Sequence, residues 1–189
     1  MTGIASAERP PPRLRVGWRP ATARSDAGRL LADLVRWHVG TSLPIGRRCA
    51  RCGSTTHGQP FVEDDAVHLS LSRAAGLAVA AVSTAGPVGV DAEPAGSAAF
   101  PGFEDVAVHP EEGRREPTVT WVRKEALLKA TGRGLAVDPR RVWIDDARRV
   151  VSWEDDLPAP DRCWIEDLPL PGRYVGAVAV IRPAEARAD

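Results

Sequence analysis

The stretch from Trp121 to Leu135 constrains the fold of this chain most, because it predicts one long helix with two different faces. Ala, Leu, Lys, Glu and Arg dominate it, and neither glycine nor proline interrupts it before Gly132, where a helix C-cap is expected. Side chains that share a helix face recur every three or four residues. This spacing predicts a buried face of Val122, Ala126 and Ala130. The same spacing predicts a second face of Trp121, Glu125 and Lys129.

Glu125 and Lys129 are four residues apart, so an acid and a base share this second face. The simplest interpretation is a solvent-facing ion pair on an ordinary helix surface, which contributes only about 0.2–0.5 kcal/mol. The alternative is that the face lines a site at which both groups act on a substrate. A second stretch of the sequence favours the alternative.

That second stretch runs from Pro87 to Pro94 and contains two acids, Asp91 and Glu93. Side chains two residues apart in a strand point to the same side, and Pro94 ends the strand directly after the pair. Two carboxylates from a strand end and Glu125 from a helix would form a cluster of oxygen ligands. Such a cluster suits Mg²⁺, which keeps several waters and binds substrate phosphates. The other possibility is that the two acids lie on the surface and pair with arginines.

Taken together, the two stretches carry a family resemblance. The segment Gly89-Val90-Asp91-Ala92-Glu93, followed about thirty residues later by Trp-Val-Arg-Lys-Glu-Ala-Leu-Leu-Lys from Trp121 to Lys129, resembles the paired signature of the 4′-phosphopantetheinyl transferases. Within that family, it is similar to the surfactin-synthetase type, in which one monomeric chain holds two similar halves.

The resemblance implies an α+β fold with two similar α/β halves related by a pseudo-two-fold axis. Each half would contain a small antiparallel sheet and a packed long helix. We expect residues 13–88 to form the N-terminal half, on the coenzyme A side, and residues 89–189 to form the C-terminal half with the metal site and the central helix. Residues 1–12 are rich in proline and lack periodicity, so they predict a disordered tail.

For function, the resemblance implies transfer of the 4′-phosphopantetheine group of coenzyme A to a serine of an acyl or peptidyl carrier protein, with release of 3′,5′-ADP. Mg²⁺ would be held by Asp91, Glu93 and Glu125. Asp91, Lys124 and Glu125 are the expected catalytic residues, with Glu125 or a water that it orients as the general base. Lys129 would steady a phosphate of the substrate.

The residues that match the family's coenzyme A site are partly substituted. Gly58, Gln59 and Pro60 resemble a Gly-Lys-Pro turn in which glutamine replaces lysine. Ser72 matches the serine of an Asn-x-Ser-His-Ser loop, in which Arg73 stands at the histidine position. An arginine can hold a phosphate at least as well as a histidine. Arg29 is a further candidate for binding the 3′-phosphate.

A separate motif offers a different function. Cys49 and Cys52 form a Cys-x-x-Cys turn, and His57 follows five residues later. These residues supply three of the four ligands of a structural zinc site, and Cys163, the remaining cysteine, lies far along the chain. The alternatives are therefore a tight turn with two free thiols or a zinc-bearing interaction module. A third alternative is a homologue that has lost catalysis and only binds coenzyme A or a carrier.

Composition bounds the partners. The chain has 25 basic and 25 acidic residues in 189, so no net field favours nucleic acid or an anionic membrane. No apolar run is long enough to span a bilayer, and the first residues lack the apolar core of a signal peptide. The sequence therefore predicts a cytoplasmic protein without nucleic-acid or membrane partners.

Overall fold

The computed structural model describes residues 3–4, 13–113, 115–153 and 156–184. Within them the fold is mixed α+β, and every described strand pair is antiparallel. The helices are α1 (Arg24–Val39), α2 (Phe103–Ala107) and α3 (Pro117–Ala130). Of the tail predicted over residues 1–12, only Gly3–Ile4 is described, and the rest of that prediction lies outside the described residues.

The strands form three sheets. The first sheet contains β1 (Gly3–Ile4), β2 (Leu14–Pro20), β3 (Gly46–Arg48), β4 (Gln59–Phe61), β5 (His68–Ala74) and β6 (Leu77–Ser83), in the order β1-β2-β6-β5-β4-β3. The second contains β7 (Val88–Pro94), β10 (Cys163–Asp167) and β11 (Tyr174–Ile181), in the order β10-β11-β7. A separate hairpin joins β8 (Trp143–Ile144) to β9 (Val150–Ser152).

The core lies in layers between these elements. Helix α1 packs on one face of the first sheet, the second sheet packs on the other face, and α3 covers the far side of the second sheet. Strand β6 is apolar along nearly its whole length because it is buried on both faces. Its residues Ala78, Ala80 and Val82 face α1. The alternate residues Leu77, Val79 and Ala81 face the second sheet.

The hairpin of β5 and β6 corrects one prediction. Ser72 and Arg73 match a loop in the family, but here both lie in strand β5, and the connecting turn consists of Ala75 and Gly76 alone. Gly76 has φ of +81°, a left-handed conformation that glycine adopts without strain. The hairpin is therefore short, and its strands extend through the matched positions.

Helix α3 confirms the predicted helix but begins four residues earlier, at Pro117. Proline is favoured at the first position of a helix because its missing N–H would lack a partner there. The Glu116 carboxylate accepts a hydrogen bond from Val119 N (2.8 Å) and caps this end. Gly132 follows the last turn with φ of +74°, as expected for a residue just past the C-cap.

Gly89 sets how closely α3 approaches strand β7. A Cβ atom placed on this glycine would lie 1.8 Å from the carbonyl oxygen of Ala126 and 2.6 Å from the backbone nitrogen of Ala130. Both atoms belong to the helix backbone, so neither can move as a flexible side chain would. The absence of a side chain at this position therefore lets the acids of the strand and of the helix share one space.

We expect Gly89→Ala to destabilise the fold by at least about 1–3 kcal/mol, the usual cost of overpacking, because α3 must move away from β7. Urea unfolding measures the change. Gly28→Ala in α1 is the matched control, since nothing lies within 4 Å of its added Cβ. That substitution should instead stabilise the helix by about 0.5–1 kcal/mol. Equal effects of the two substitutions would contradict the close approach at Gly89.

Among the described helices, none combines the length and the apolar character that crossing a membrane requires.

Candidate functional site

A cleft of about 880 Å³ lies where the two main sheets meet the central helix. Strand β7 contributes Asp91 and Glu93 to its wall, and α3 contributes Trp121, Glu125 and Lys129. We name this space the carboxylate cleft. The two sequence stretches with unexplained acids therefore line one space, because alternation along β7 and the i, i+4 spacing on α3 turn these side chains toward each other.

Asp91 is the buried centre of the carboxylate cleft. Its Oδ1 accepts hydrogen bonds from Lys129 Nζ (2.6 Å) and from Ser72 Oγ (2.7 Å). Its Oδ2 is also buried but has no hydrogen-bond partner among the described residues. A buried carboxylate oxygen without a partner is costly, and such an atom commonly marks the position of a cation or an ordered water.

The position of Asp91 depends on two serines of the neighbouring sheet. Strand β7 is an edge strand of its own sheet, so part of its backbone lacks a strand partner. Ser70 Oγ accepts a hydrogen bond from Val90 N (2.9 Å), and Ser72 Oγ accepts one from Ala92 N (3.3 Å). The serine side chains therefore satisfy the edge and hold Asp91 in place. Ser72 was predicted to bind coenzyme A, but its hydroxyl is already engaged here.

The other two acids are less buried than Asp91 and have raised proton affinities. Burial raises the pKa of Glu125, the Lys129 ammonium opposes this shift, and the Asp91 carboxylate adds to it. Burial and, second, the Asp91 carboxylate raise the pKa of Glu93. Burial is therefore the largest cause of both raised pKa values, and in Glu125 the Lys129 ammonium is the main group that opposes it.

The three carboxylates do not form a closed metal cage. Within the described part of the chain, the one group of three metal-ligating side chains whose donor atoms all lie within 4.8 Å is elsewhere. Lys129 Nζ lies between two of the acids, 2.6 Å from Asp91 Oδ1 and 3.7 Å from Glu125 Oε2. However, Mg²⁺ usually binds through one or two carboxylates and keeps its waters. The unpartnered Asp91 Oδ2 and the neighbouring acids fit that mode of binding.

Lys124, which the sequence placed among the catalytic residues, lies outside the carboxylate cleft. Its side chain is fully buried, and its Nζ lies 2.5 Å from Glu112 Oε2 and donates to the carbonyl oxygens of Ala107 (2.7 Å) and Pro139 (3.1 Å). Successive residues of a helix point about 100° apart, so Lys124 cannot share the face of Glu125. We therefore assign Lys124 to the core between α3 and the segments that precede and follow it.

The residues predicted to bind coenzyme A fall into three places. Ser72 and Arg73 line the carboxylate cleft. Gly58, Gln59 and Pro60 line an adjoining pocket of about 290 Å³. Arg29 is exposed on α1 and lines neither space. The two spaces have Arg47, Leu71 and Lys129 as common walls, so a long ligand could extend from one into the other.

Several lining residues were not predicted as site residues, among them Arg47, Ser25 and Gly28. Arg47, on β3, brings a guanidinium to both spaces and donates to Gly58 O (3.0 Å). Ser25 and Gly28 bring the first turn of α1 to the carboxylate cleft. The sequence shows that Arg47 belongs to a basic run. No local pattern predicted that Arg47 would lie near residues at the ends of β5 and β7.

Cys49, Cys52 and His57, here called the Cys–His cluster, lie on the loop between β3 and β4. Their donor atoms all lie within 4.8 Å of one another, and Cys52 Sγ is 3.3 Å from His57 Nε2. Backbone N–H groups of Cys52 and Arg51 lower the pKa of Cys49 to about 7. Burial, by contrast, raises the pKa of Cys163 to about 12.

Comparison with known proteins adds no relative: no protein-family model matches the chain, and no curated protein matches it.

Proposed function

We propose that this protein is a Mg²⁺-dependent 4′-phosphopantetheinyl transferase that modifies a serine of an acyl or peptidyl carrier protein. The observation that carries the proposal is the carboxylate cleft itself. It combines the buried, unpartnered Asp91 Oδ2 with Glu93, Glu125 and Lys129 on the two sequence motifs that resemble the family. A solvent-facing ion pair does not account for a carboxylate oxygen buried without a partner.

The reaction moves one phosphoryl group. The carrier serine hydroxyl attacks the phosphorus that bears the pantetheine arm, a new P–O bond to the serine forms, and the P–O bond to the nucleotide breaks. The leaving group is 3′,5′-ADP, and the serine proton passes to a base. Glu125, whose pKa is raised by burial, is the candidate base in the cleft. It would accept the serine proton directly or through a water.

Mg²⁺ would be held by Asp91 Oδ2 together with the Glu93 or Glu125 carboxylates. When bound, it would neutralise charge that develops on the pyrophosphate oxygens. Lys129 has a separate task, since its ammonium is half-exposed and already lies between Asp91 and Glu125. It can hold Asp91 in position and also contact a phosphate from the same place.

The size and charge of the site suit coenzyme A. The carboxylate cleft and the adjoining pocket fall within or just below the range of about 300–1,000 Å³ that is typical of ligand sites. Arg47, Arg73 and Lys129 bring three cationic groups to the cleft wall. The first turn of α1 also lies there, and the positive end of a helix favours phosphate. This arrangement replaces the Lys of the Gly-Lys-Pro turn, which is Gln59 here.

The resemblance also carries proposals about architecture. Each main sheet is covered by one long helix, which supports two α/β halves at residues 13–88 and 89–189 related by a pseudo-two-fold axis. A monomeric state and a cytoplasmic location belong to the same proposal.

The deciding experiment incubates the purified chain with coenzyme A, Mg²⁺ and an apo-carrier protein, and weighs the carrier by mass spectrometry. We expect the carrier to gain the mass of one phosphopantetheine, only when Mg²⁺ is present. A carrier whose target serine is replaced by alanine is the control. If no apo-carrier of the fatty acid, polyketide or nonribosomal peptide type gains mass, the transferase assignment is wrong. Coenzyme A binding without transfer would instead favour the homologue that has lost catalysis.

A further inference from the structure

We propose that the Cys–His cluster binds one Zn²⁺ ion, which organises the loop between β3 and β4 and with it one wall of the carboxylate cleft. This site uses different ligands from the carboxylates and stands whether or not the chain is a transferase. Thiolate and imidazole ligands favour zinc, whereas carboxylate oxygens favour Mg²⁺.

The first observation is the arrangement of the donor atoms. In a tetrahedral zinc site the Zn–S and Zn–N bonds are about 2.3 and 2.0–2.1 Å, so neighbouring donors lie roughly 3.5–3.8 Å apart. Cys49 Sγ, Cys52 Sγ and a ring nitrogen of His57 already lie within 4.8 Å of one another, and the Cys52–His57 distance is 3.3 Å. The three donors therefore already lie close to the mutual spacing that a single ion requires.

The second observation is the backbone of the Cys-x-x-Cys turn. Gly53 N donates to Cys49 O (2.8 Å), and Gly53 has φ of +71°. The N–H groups of Arg51 and Cys52 point at the Cys49 sulfur. These backbone hydrogen bonds fix the turn that separates Cys49 from Cys52 before an ion is bound.

The third observation is that the side chains of this loop bury little apolar surface. Between Cys49 and Gly58 the side chains are small or polar and mostly exposed, and none belongs to a hydrophobic core cluster. Ordering such a segment costs conformational entropy that apolar burial usually offsets. A metal that binds only the folded loop supplies that free energy instead.

The location gives the ion a role. His57 and its neighbour Thr56 line the carboxylate cleft, and Gly58, which follows, accepts a hydrogen bond from Arg47. An ion on His57 would therefore fix the wall that carries Arg47. Among the described residues no fourth His, Cys, Asp or Glu joins the cluster, so its fourth position would hold a water or another ligand from solvent.

The test measures zinc in the full chain purified without chelators or a histidine tag. We expect about one equivalent per chain, because the cluster offers one set of three zinc ligands. Cys49→Ser, Cys52→Ser and His57→Ala should each lose it. Cys163→Ala, which removes the cysteine outside the cluster, and Glu125→Gln, which alters the carboxylate cleft, should retain it. Zinc that is lost with Glu125→Gln but kept in the cluster variants would overturn the proposal.

Titration with Co²⁺ keeps the test decisive if a cluster variant fails to fold. In the wild-type chain, tetrahedral Co²⁺ with two thiolates should show a sulfur-to-cobalt charge-transfer band and intense visible bands. Bound Zn²⁺ should also protect Cys49 and Cys52 from alkylation. A wild-type chain that holds no zinc, gives no such bands and is alkylated equally with and without Zn²⁺ would show that the cluster is a turn with free thiols.

Discussion

Glu125→Gln is expected to reduce phosphopantetheine transfer by several orders of magnitude while leaving the fold intact. The substitution keeps the volume of the side chain but removes its charge and its ability to accept a proton. A general base alone contributes about 10²–10⁴-fold to a rate, and loss of a metal-binding carboxylate adds to that. The measurement is the initial rate of carrier modification at saturating coenzyme A and Mg²⁺. Retention of more than about a tenth of the wild-type rate would contradict both roles.

Two controls make that result specific. Glu63→Gln changes an exposed acid outside the carboxylate cleft and should leave the rate unchanged. The pH dependence gives an independent readout, because burial raises the pKa of Glu125. The basic form is then lost as the pH falls through this raised value, so wild-type transfer should decline at a higher pH than an ordinary glutamate would cause. The residual activity of Glu125→Gln should lack this decline.

Glu112→Gln is expected to destabilise the protein by about 3–5 kcal/mol, the usual cost of removing one partner of a buried ion pair. The Glu112 carboxylate is buried and contacts the fully buried Lys124 ammonium at 2.5 Å. Without that carboxylate, Lys124 must either remain charged without its counterion or lose its proton. Its pKa is already lowered by burial, and the hydrogen bond and charge of Glu112 oppose this shift.

A double-mutant cycle provides the control. Combining Glu112→Gln with Lys124→Met removes both charges, and the double variant should recover part of the stability lost in Glu112→Gln alone. The free energy of unfolding in urea measures each variant. Lys124→Met should change stability but leave the KM for coenzyme A unaltered, because Lys124 does not line the carboxylate cleft. A raised KM with unchanged stability would return Lys124 to the substrate site.

Periodicity predicted helix α3 and strand β7, because it is a local property of the sequence. The apolar run of β6, the alternation in β7 and the stripe on α3 each require only neighbours along the chain. Local backbone geometry also predicted that Asp91 and Glu93 point to one side of a strand. It predicted in the same way that Glu125 and Lys129 lie on one face of a helix. The spacing of Cys49, Cys52 and His57 likewise predicted that these residues lie near one another in the chain, and their donor atoms lie within 4.8 Å of one another on one loop.

Local sequence patterns did not predict the contacts between distant elements. Lys124 precedes Glu125, yet it points into the core, where Glu112 lies twelve residues earlier on another segment. Nothing local shows that Ser70 and Ser72 would satisfy the edge of β7 across twenty residues. Arg47 reaches the carboxylate cleft while Arg29 does not, because this depends on how β3 and α1 are placed beside the two sheets.

Local backbone geometry and packing between distant elements determine different features of the site. Backbone geometry determines from the sequence alone which side chains share a face, and so which acids can act together. Packing decides which faces of distant elements meet. Because Gly89 has no side chain, the backbone of α3 approaches β7 closely, and Glu125 and Lys129 lie beside Asp91. The sequence by itself determined the chemical groups of the carboxylate cleft, and the tertiary structure decided which of them meet.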